Sequence, residues 1–429
     1  MAEPHVTKVT AGLKNHERWF VPIACLFVLL AEYSRYLTAT RIGAAVFSPK
    51  NMVAAGVLAL VAWAFFALRT KANRAQAGKW SLLVLPVALI AWVALSALWA
   101  DYPERTPALL EWLVALALIL LIGIAARPVQ GSKWVATTLV VAVLGVVVVG
   151  LVEKTTDTHL PLSNLHNPYR QQWAISSVFI GQNHLAASLG LLLPLVAGFG
   201  LAWHGWRRWL SLATLAGGLV ALFFTGSSLA LVATGVAAVI FWLVAIVRAK
   251  PKMRGRLFFV ALLSVLGLVA VWTLTPAAVK ERVSVASLGV KQSFEARRAL
   301  IAEGFDLIWQ APIRGLGPGA TNELVEVTVG NQPTLRALHN LSLEFTVTFG
   351  LVAAIALAIW LGYVLVRVAK RLRGKGQRWP SVGILASVAA LVIIQAVPST
   401  FEGVRAPWIT IGLALALAMR PSSHDAHRS

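Results

Sequence analysis

Apolar residues along this 429-residue chain gather in blocks separated by short polar or basic runs. Blocks of about 15–25 apolar residues are long enough to cross a bilayer core as helices. Runs such as Leu229–Val247 show no alternation of apolar and polar positions, which excludes strands of a transmembrane barrel. Backbone groups in lipid must then pair within their own segment, as only a helix allows. The pattern predicts an all-α polytopic membrane protein with about twelve transmembrane helices. They lie near 20–36, 52–68, 81–99, 108–126, 134–152, 178–203, 208–224, 227–247, 257–276, 341–367, 381–397 and 405–419. Residues 1–429 are expected to form a single integral membrane domain.

Two connections are long enough to carry function, at 153–177 and 275–340, since binding and catalytic groups concentrate on such loops. Within the second, Phe294–Gln310 reads as an amphipathic helix. Ala299, Leu300, Phe305, Leu307, Ile308 and Trp309 supply its apolar mass, against Arg297, Arg298, Glu303 and Asp306. Such a helix could lie on the membrane surface. It should end at Ala311-Pro312, where Gly315-Leu316-Gly317-Pro318-Gly319 then forces a turn.

Composition agrees with the pattern: 58% of residues are hydrophobic and 13% charged, where a soluble domain carries about 25% charged. The net charge of +21, from 38 basic and 17 acidic residues, could serve nucleic acid, anionic lipid head groups or an anionic substrate. Most basic residues sit in short loops between spans, so no nucleic-acid partner is expected and membrane lipids are. The N-terminal tail, the even-numbered loops and the C-terminal tail hold 24 Lys and Arg; the odd-numbered loops hold 14, 7 of them in the long second connection. Short loops carry the topology signal, so both termini are expected in the cytoplasm and both long connections on the exoplasmic side. Cys25 is the only cysteine, which excludes an intramolecular disulfide and a Cys-based metal site. The first apolar run, Phe20–Leu30, follows a basic start without a small-residue cleavage site and is read as the first span.

The most informative polar run is Leu335-Arg336-Ala337-Leu338-His339-Asn340-Leu341-Ser342-Leu343-Glu344, where the long connection meets a span. His339 is the catalytic candidate, because an imidazole of ordinary pKa about 6.5 can accept or donate a proton near neutral pH. The alternative is an interfacial histidine that satisfies a hydrogen bond. Asn340 could cap the following helix or hold a substrate hydroxyl. Glu344 falls about 140° round the helix from His339, poorly placed to orient the ring. Arg297, Arg298 and Arg314 share the connection with His339, and Arg170 lies in the other one. Guanidinium forks pair with phosphate oxygens and keep their charge, so converging arginines could bind a diphosphate; lipid head-group contact is the alternative. Gln182-Asn183-His184 opens a span otherwise built of Leu, Ala and Gly; polar groups there are costly unless buried against protein or water, serving either substrate or interhelical hydrogen bonds. Glu32 and Glu111 lie within or beside spans, Glu111 close enough to the end to snorkel. No HExxH, His cluster of ligand spacing, P-loop or GxGxxG cradle occurs. No metal or other cofactor is expected, and an ATP-driven pump is disfavoured.

With these residues in place the chain resembles the O-antigen ligase family (WaaL), within the larger group that includes O-antigen polymerases (Wzy) and bacterial O-oligosaccharyltransferases. His339-Asn340, nine residues and Gly350 resemble the family's His-Asn, spacer, Gly pattern at the head of a late span. Arg297-Arg298 through Pro312-Ile313-Arg314-Gly315-Leu316-Gly317-Pro318-Gly319 resembles the stretch before it, and Gly181-Gln182-Asn183-His184-Leu185-Ala186 the stretch after the first exoplasmic segment. Three positions depart from the group, one of them Ala353, where many ligases have Gly, Thr or Tyr. Gly226-Ser227-Ser228-Leu229 lacks the arginine often found at the start of a middle span, and Thr348 replaces an acidic residue common in polymerases.

The resemblance implies a GT-C-like glycosyltransferase of lipopolysaccharide biosynthesis. It would move O-antigen polysaccharide from undecaprenyl diphosphate to lipid A–core, at the periplasmic face of a bacterial inner membrane. Transfer would be metal-independent and would invert the anomeric centre. His339 would be catalytic, the arginines would hold the diphosphate, and Asn340, Asn183, Gln182 and His184 would touch substrate elsewhere. The alternatives are a polymerase or oligosaccharyltransferase of the same group, with a different acceptor. A lipid or polysaccharide transporter is the reading from another class, although related halves and midplane charges are not evident.

Overall fold

The computed structural model describes residues 21–30, 33, 77–161, 163–166, 174–249, 254–255, 258–259, 295–327, 337–373, 378–397 and 404–420. These residues are helical, with connecting turns and no sheet. In chain order the helices are α1 (Val21–Leu30), α2 (Ala77–Ser96), α3 (Arg105–Ala125), α4 (Val129–Thr156), α5 (Gln182–Ala202), α6 (Trp206–Phe224) and α7 (Ser228–Arg248). They continue with α8 over 295–310, then α9 (Ala320–Leu324), α10 (Leu341–Lys370), α11 (Arg378–Ile394) and α12 (Ala406–Met419).

Six of them, α3 to α7 and α10, are long and apolar enough to span a membrane, and four apolar helices are shorter. The protein is thus a multi-pass helical membrane protein. The apolar pattern predicts twelve spans; those near 52–68 and, but for two residues, 257–276 lie outside the described residues. Helix α4 runs from Val129 to Thr156, further at each end than the expected 134–152, because Lys133 and Glu153 continue the helix into its polar flanks.

Helix α5 is the buried centre, with nearly every residue after Asn183 enclosed. It meets α11 at a glycine contact: a methyl added at Gly198 would lie 2.7 Å from the Trp379 carbonyl oxygen, and one at Gly383 2.7 Å from that of Pro194. Between helices in lipid, where no hydrophobic force separates protein from solvent, close backbone approach of this kind supplies the packing. Ser387 adds a buried hydrogen bond to the Leu191 carbonyl at 2.6 Å.

At the end opposite His339, arginines close helix termini. Arg420, 8% exposed, donates from Nε to the Arg127 carbonyl at 3.0 Å and from Nη2 to that of Ala126 at 2.9 Å. Arg371 donates to the Arg420 carbonyl and Arg367 to that of Ala418 at 3.2 Å. The last carbonyls of a helix have no partner of their own, and these donors supply one. Topology and lipid contact, the roles expected of basic residues in such loops, therefore do not exhaust what these three do. Burial and the nearby Arg371 charge push the Arg420 guanidinium down to about 10.

Candidate functional site

Helix α10 opens on Asn340, which has extended backbone and whose side chain accepts from the Leu343 N–H at 3.0 Å. That is an N-cap, one of the two roles the sequence allowed this residue. Immediately before it His339 has φ 53, the left-handed region that costs a non-glycine residue about 1–3 kcal/mol. The hairpin into α10 holds the histidine there. Its neighbour Leu338 is buried against α8, and the Leu341 N–H reaches the Gln395 carbonyl at 3.4 Å. Ser342 ties the same turn to Gln395 through a 2.5 Å side-chain hydrogen bond.

Two turns further on, α10 breaks. Gly350 has φ 85 and ψ 166, a region only glycine occupies comfortably. A break of this kind frees carbonyls in the middle of an apolar helix, where each unpaired group is expensive. The Pro312–Gly319 turn supplies partners. Leu316 N–H donates to Val347 O at 2.9 Å and Gly317 N–H to Thr348 O at 2.9 Å, while Leu351 N–H donates to Pro312 O at 2.8 Å. Trp92 Nε1 donates to Phe349 O at 3.0 Å, and Trp99 Nε1 to Gly315 O at 3.2 Å. The contact admits no side chain: a methyl on Gly350 would sit 2.1 Å from Ile313 O, and one on Gly315 2.3 Å from Thr348 O. The glycine-rich stretch and the His-Asn–Gly stretch, separate in sequence, are thus one interlocked backbone unit.

Helix α8 is carried on the same unit. Leu300, Gly304, Leu307 and Ile308 recur at helical spacing. The three side chains are buried with Leu338, Leu343 and Val347, and Gly304 lets Leu343 approach. Phe305 and Trp309, counted with them as a single apolar mass from the sequence, face the other way and are 54% and 70% exposed. The helix therefore has two apolar faces, one packed and one open.

This packing brings Arg297 to His339. Burial, and then the Arg297 charge, push the His339 imidazole down to about 4. Burial likewise lowers Arg297. The ring is therefore neutral near neutral pH and keeps a nitrogen lone pair for accepting a hydrogen bond or a proton. Arg298 and Arg314 are exposed on the same unit, Arg298 on the open side of α8 and Arg314 on the interlocking turn. Gln182, Asn183 and His184 open α5, a separate helix packed on α6, α7 and α11; His184 is buried and the other two half-buried. Arg170 lies outside the described residues, as do Glu32 and Arg336. Glu344 is buried, its N–H bonded to Asn340 O at 2.8 Å.

Beside α5 the connection after α4 is pinned by a buried carboxylate. Glu153 accepts from the Ser176 N–H at 2.9 Å, the Ser177 N–H at 2.5 Å and the Ser176 hydroxyl at 3.1 Å, and pairs with His159 Nδ1 at 2.6 Å. The sequence marked this segment by its length and by Arg170, not by Glu153.

The sequence also passed over Arg405 and left Glu111 as a snorkelling residue. The two form an ion pair at 2.5 Å, with side chains 4% and 18% exposed. The available signal was a lone cation directly ahead of the last apolar run. Trp112, next to Glu111, packs edge-on against Phe345 and Phe349 of α10, 5.4 Å from each, and against Trp408 of α12 at 5.7 Å.

These features define a polytopic helical membrane protein with a cluster of polar residues at one end of its bundle, where a loop helix that carries Arg297 and Arg298 locks into a broken span. Residues 210–358 match the family model described as O-antigen ligase (Wzy_C), from within α6 to the second half of α10. The matched stretch contains α8, the Pro312–Gly319 turn, His339 and Gly350, so the resemblance to the O-antigen ligase family stands on the interlocked unit itself. That family implies a glycosyl-transferring enzyme of the O-antigen pathway, with polysaccharide and lipid substrates in the membrane. No curated protein matches the chain.

Proposed function

We propose that this protein is an O-antigen ligase that moves O-antigen polysaccharide from undecaprenyl diphosphate to a sugar hydroxyl of lipid A–core, at the periplasmic face of the inner membrane. The observation that carries the reading is His339 held neutral beside Arg297, on the unit that the family model covers. The acceptor hydroxyl oxygen forms a bond to the anomeric carbon of the donor sugar as the bond from that carbon to the diphosphate oxygen breaks. Undecaprenyl diphosphate leaves with the electron pair, and the configuration inverts. The hydroxyl proton passes to the free His339 nitrogen, or His339 orients the hydroxyl for attack. Arg297, with Arg298, Arg314 and Arg170, supplies positive charge to the diphosphate as negative charge develops on it. The phosphoester is already activated, so neither ATP nor a metal is required. Gln182, Asn183, His184 and Asn340 line the remaining substrate positions. Both termini are cytoplasmic, and the bundle is GT-C-like.

The test is transfer in vitro from undecaprenyl diphosphate-linked glycan to lipid A–core by purified protein, in excess EDTA and without nucleotide. A lipopolysaccharide ladder is expected, and His339→Ala should abolish it while still inserting and folding. Full activity of His339→Ala would remove the histidine from catalysis. Longer lipid-linked glycan in place of the ladder would make the protein a polymerase, and loss of activity reversed by one divalent ion would overturn the metal-free account.

A further inference from the structure

The pair of buried Arg405 and half-buried Glu111 has a property that an ion pair serving stability alone does not need. Glu111 meets the guanidinium at one point, Nη2, while Arg405 Nε is fully buried and has no hydrogen-bond partner among the described residues. A charged donor removed from water and left unpaired is costly. Pairing at both edges, which a guanidinium fork permits, would have avoided the cost. The position is also informative. Arg405 caps α12 one turn before Trp408, and Trp408 and Trp112 join the aromatic cluster that packs on Phe345. Phe345 lies about one and a half turns into α10, the helix that His339 and Asn340 introduce. The chain reaching Arg405 comes from Gln395, which is bonded to Leu341 and Ser342.

We infer that Arg405 is a further anion-binding residue of the site. Its unpaired Nε–H edge would take a phosphate oxygen of the lipid-diphosphate donor, and Glu111 would hold the guanidinium in place. This rests on the donor chemistry proposed above. An acidic partner on one side keeps the arginine from being an uncompensated charge in the empty protein, and the anion completes its hydrogen bonding when bound. Arg405 would then add a cation from the start of α12, so that the diphosphate meets cations from two elements rather than from the loop alone.

The experiment is steady-state transfer with separate titrations of donor and acceptor, and inhibition by inorganic pyrophosphate as the probe. Arg405→Lys keeps the charge and loses the Nε–H. It should raise the donor KM about tenfold with the acceptor KM unchanged, and weaken pyrophosphate inhibition by a similar factor. Glu111→Gln, which removes the competing carboxylate, should strengthen pyrophosphate inhibition. A purely structural pair would instead lower the thermal midpoint and kcat in both variants and leave the ratio of donor to acceptor KM unmoved, which would overturn the inference. Should Arg405→Lys fail to fold, the double variant Glu111→Gln/Arg405→Gln leaves no buried charge unmatched and carries the same donor-KM readout. A wild-type protein that accepts no lipid-diphosphate donor would refute the proposed function instead. Activity on that donor with an unchanged KM in the Arg405 variants would refute only this inference.

Discussion

Replacing Gly350 by alanine tests the interlock that builds the site. The residue sits at φ 85 and ψ 166, where a side chain costs about 1–3 kcal/mol in backbone strain. The new methyl would stand 2.1 Å from Ile313 O and 2.8 Å from Gly315 N, both backbone atoms that cannot rotate away. The Pro312–Gly319 turn would have to move, loosening its three backbone hydrogen bonds to 347–351, each worth about 1 kcal/mol. Together these terms come to about 4–6 kcal/mol. The same helix provides a control: a methyl on Gly362 meets nothing within 4 Å, and Gly362→Ala should shift stability by less than about 1 kcal/mol. Thermal unfolding in one detergent, with transfer activity in parallel, compares the two. Gly350→Ala should melt several degrees below wild type and lose most activity, since Arg314 rides on the displaced turn. Equal stability and activity for the two alanine variants would refute the interlock as the organiser of the site.

Two further perturbations follow from the polar groups. His339 is pushed down to about 4 in the folded protein, against an ordinary value of about 6.5, so the unfolded chain binds its proton first. Stability is unaffected above about 6.5 and falls as pH drops from there towards 4, by up to about 3 kcal/mol. Chemical denaturation of wild type and His339→Asn across that window should show the loss in wild type only, and parallel curves would contradict the burial. Glu153→Ala leaves the donors of Ser176, Ser177 and His159 without their acceptor and should cost about 3 kcal/mol or more. Protease cleavage within 157–175 should accelerate in this variant; an unchanged cleavage rate would show that the carboxylate does not pin that connection.

The sequence alone determined the class. Apolar block length in a medium that cannot pair backbone groups leaves helices, and the positions of α3 to α7 and α10 were readable from block length with errors of a few residues. It also singled out His339, Asn340 and Arg297 as candidates, because a titratable ring and a fixed charge in a long connection are legible as residue types. What it could not give was pairing. Two glycine-bearing stretches became one unit through backbone hydrogen bonds, and main-chain partners leave no side-chain pattern to read. Helical spacing identified Phe305, Leu307, Ile308 and Trp309 as apolar, but only packing against Leu338, Leu343 and Val347 decided which face is buried. Glu111, readable only as a snorkelling charge, and Arg405, which no sequence pattern singled out, lie nearly three hundred positions apart. The bundle turned them into an ion pair that encloses Arg405, because enclosing a charge in an apolar helix layer is tolerable only where a distant segment delivers its counter-ion.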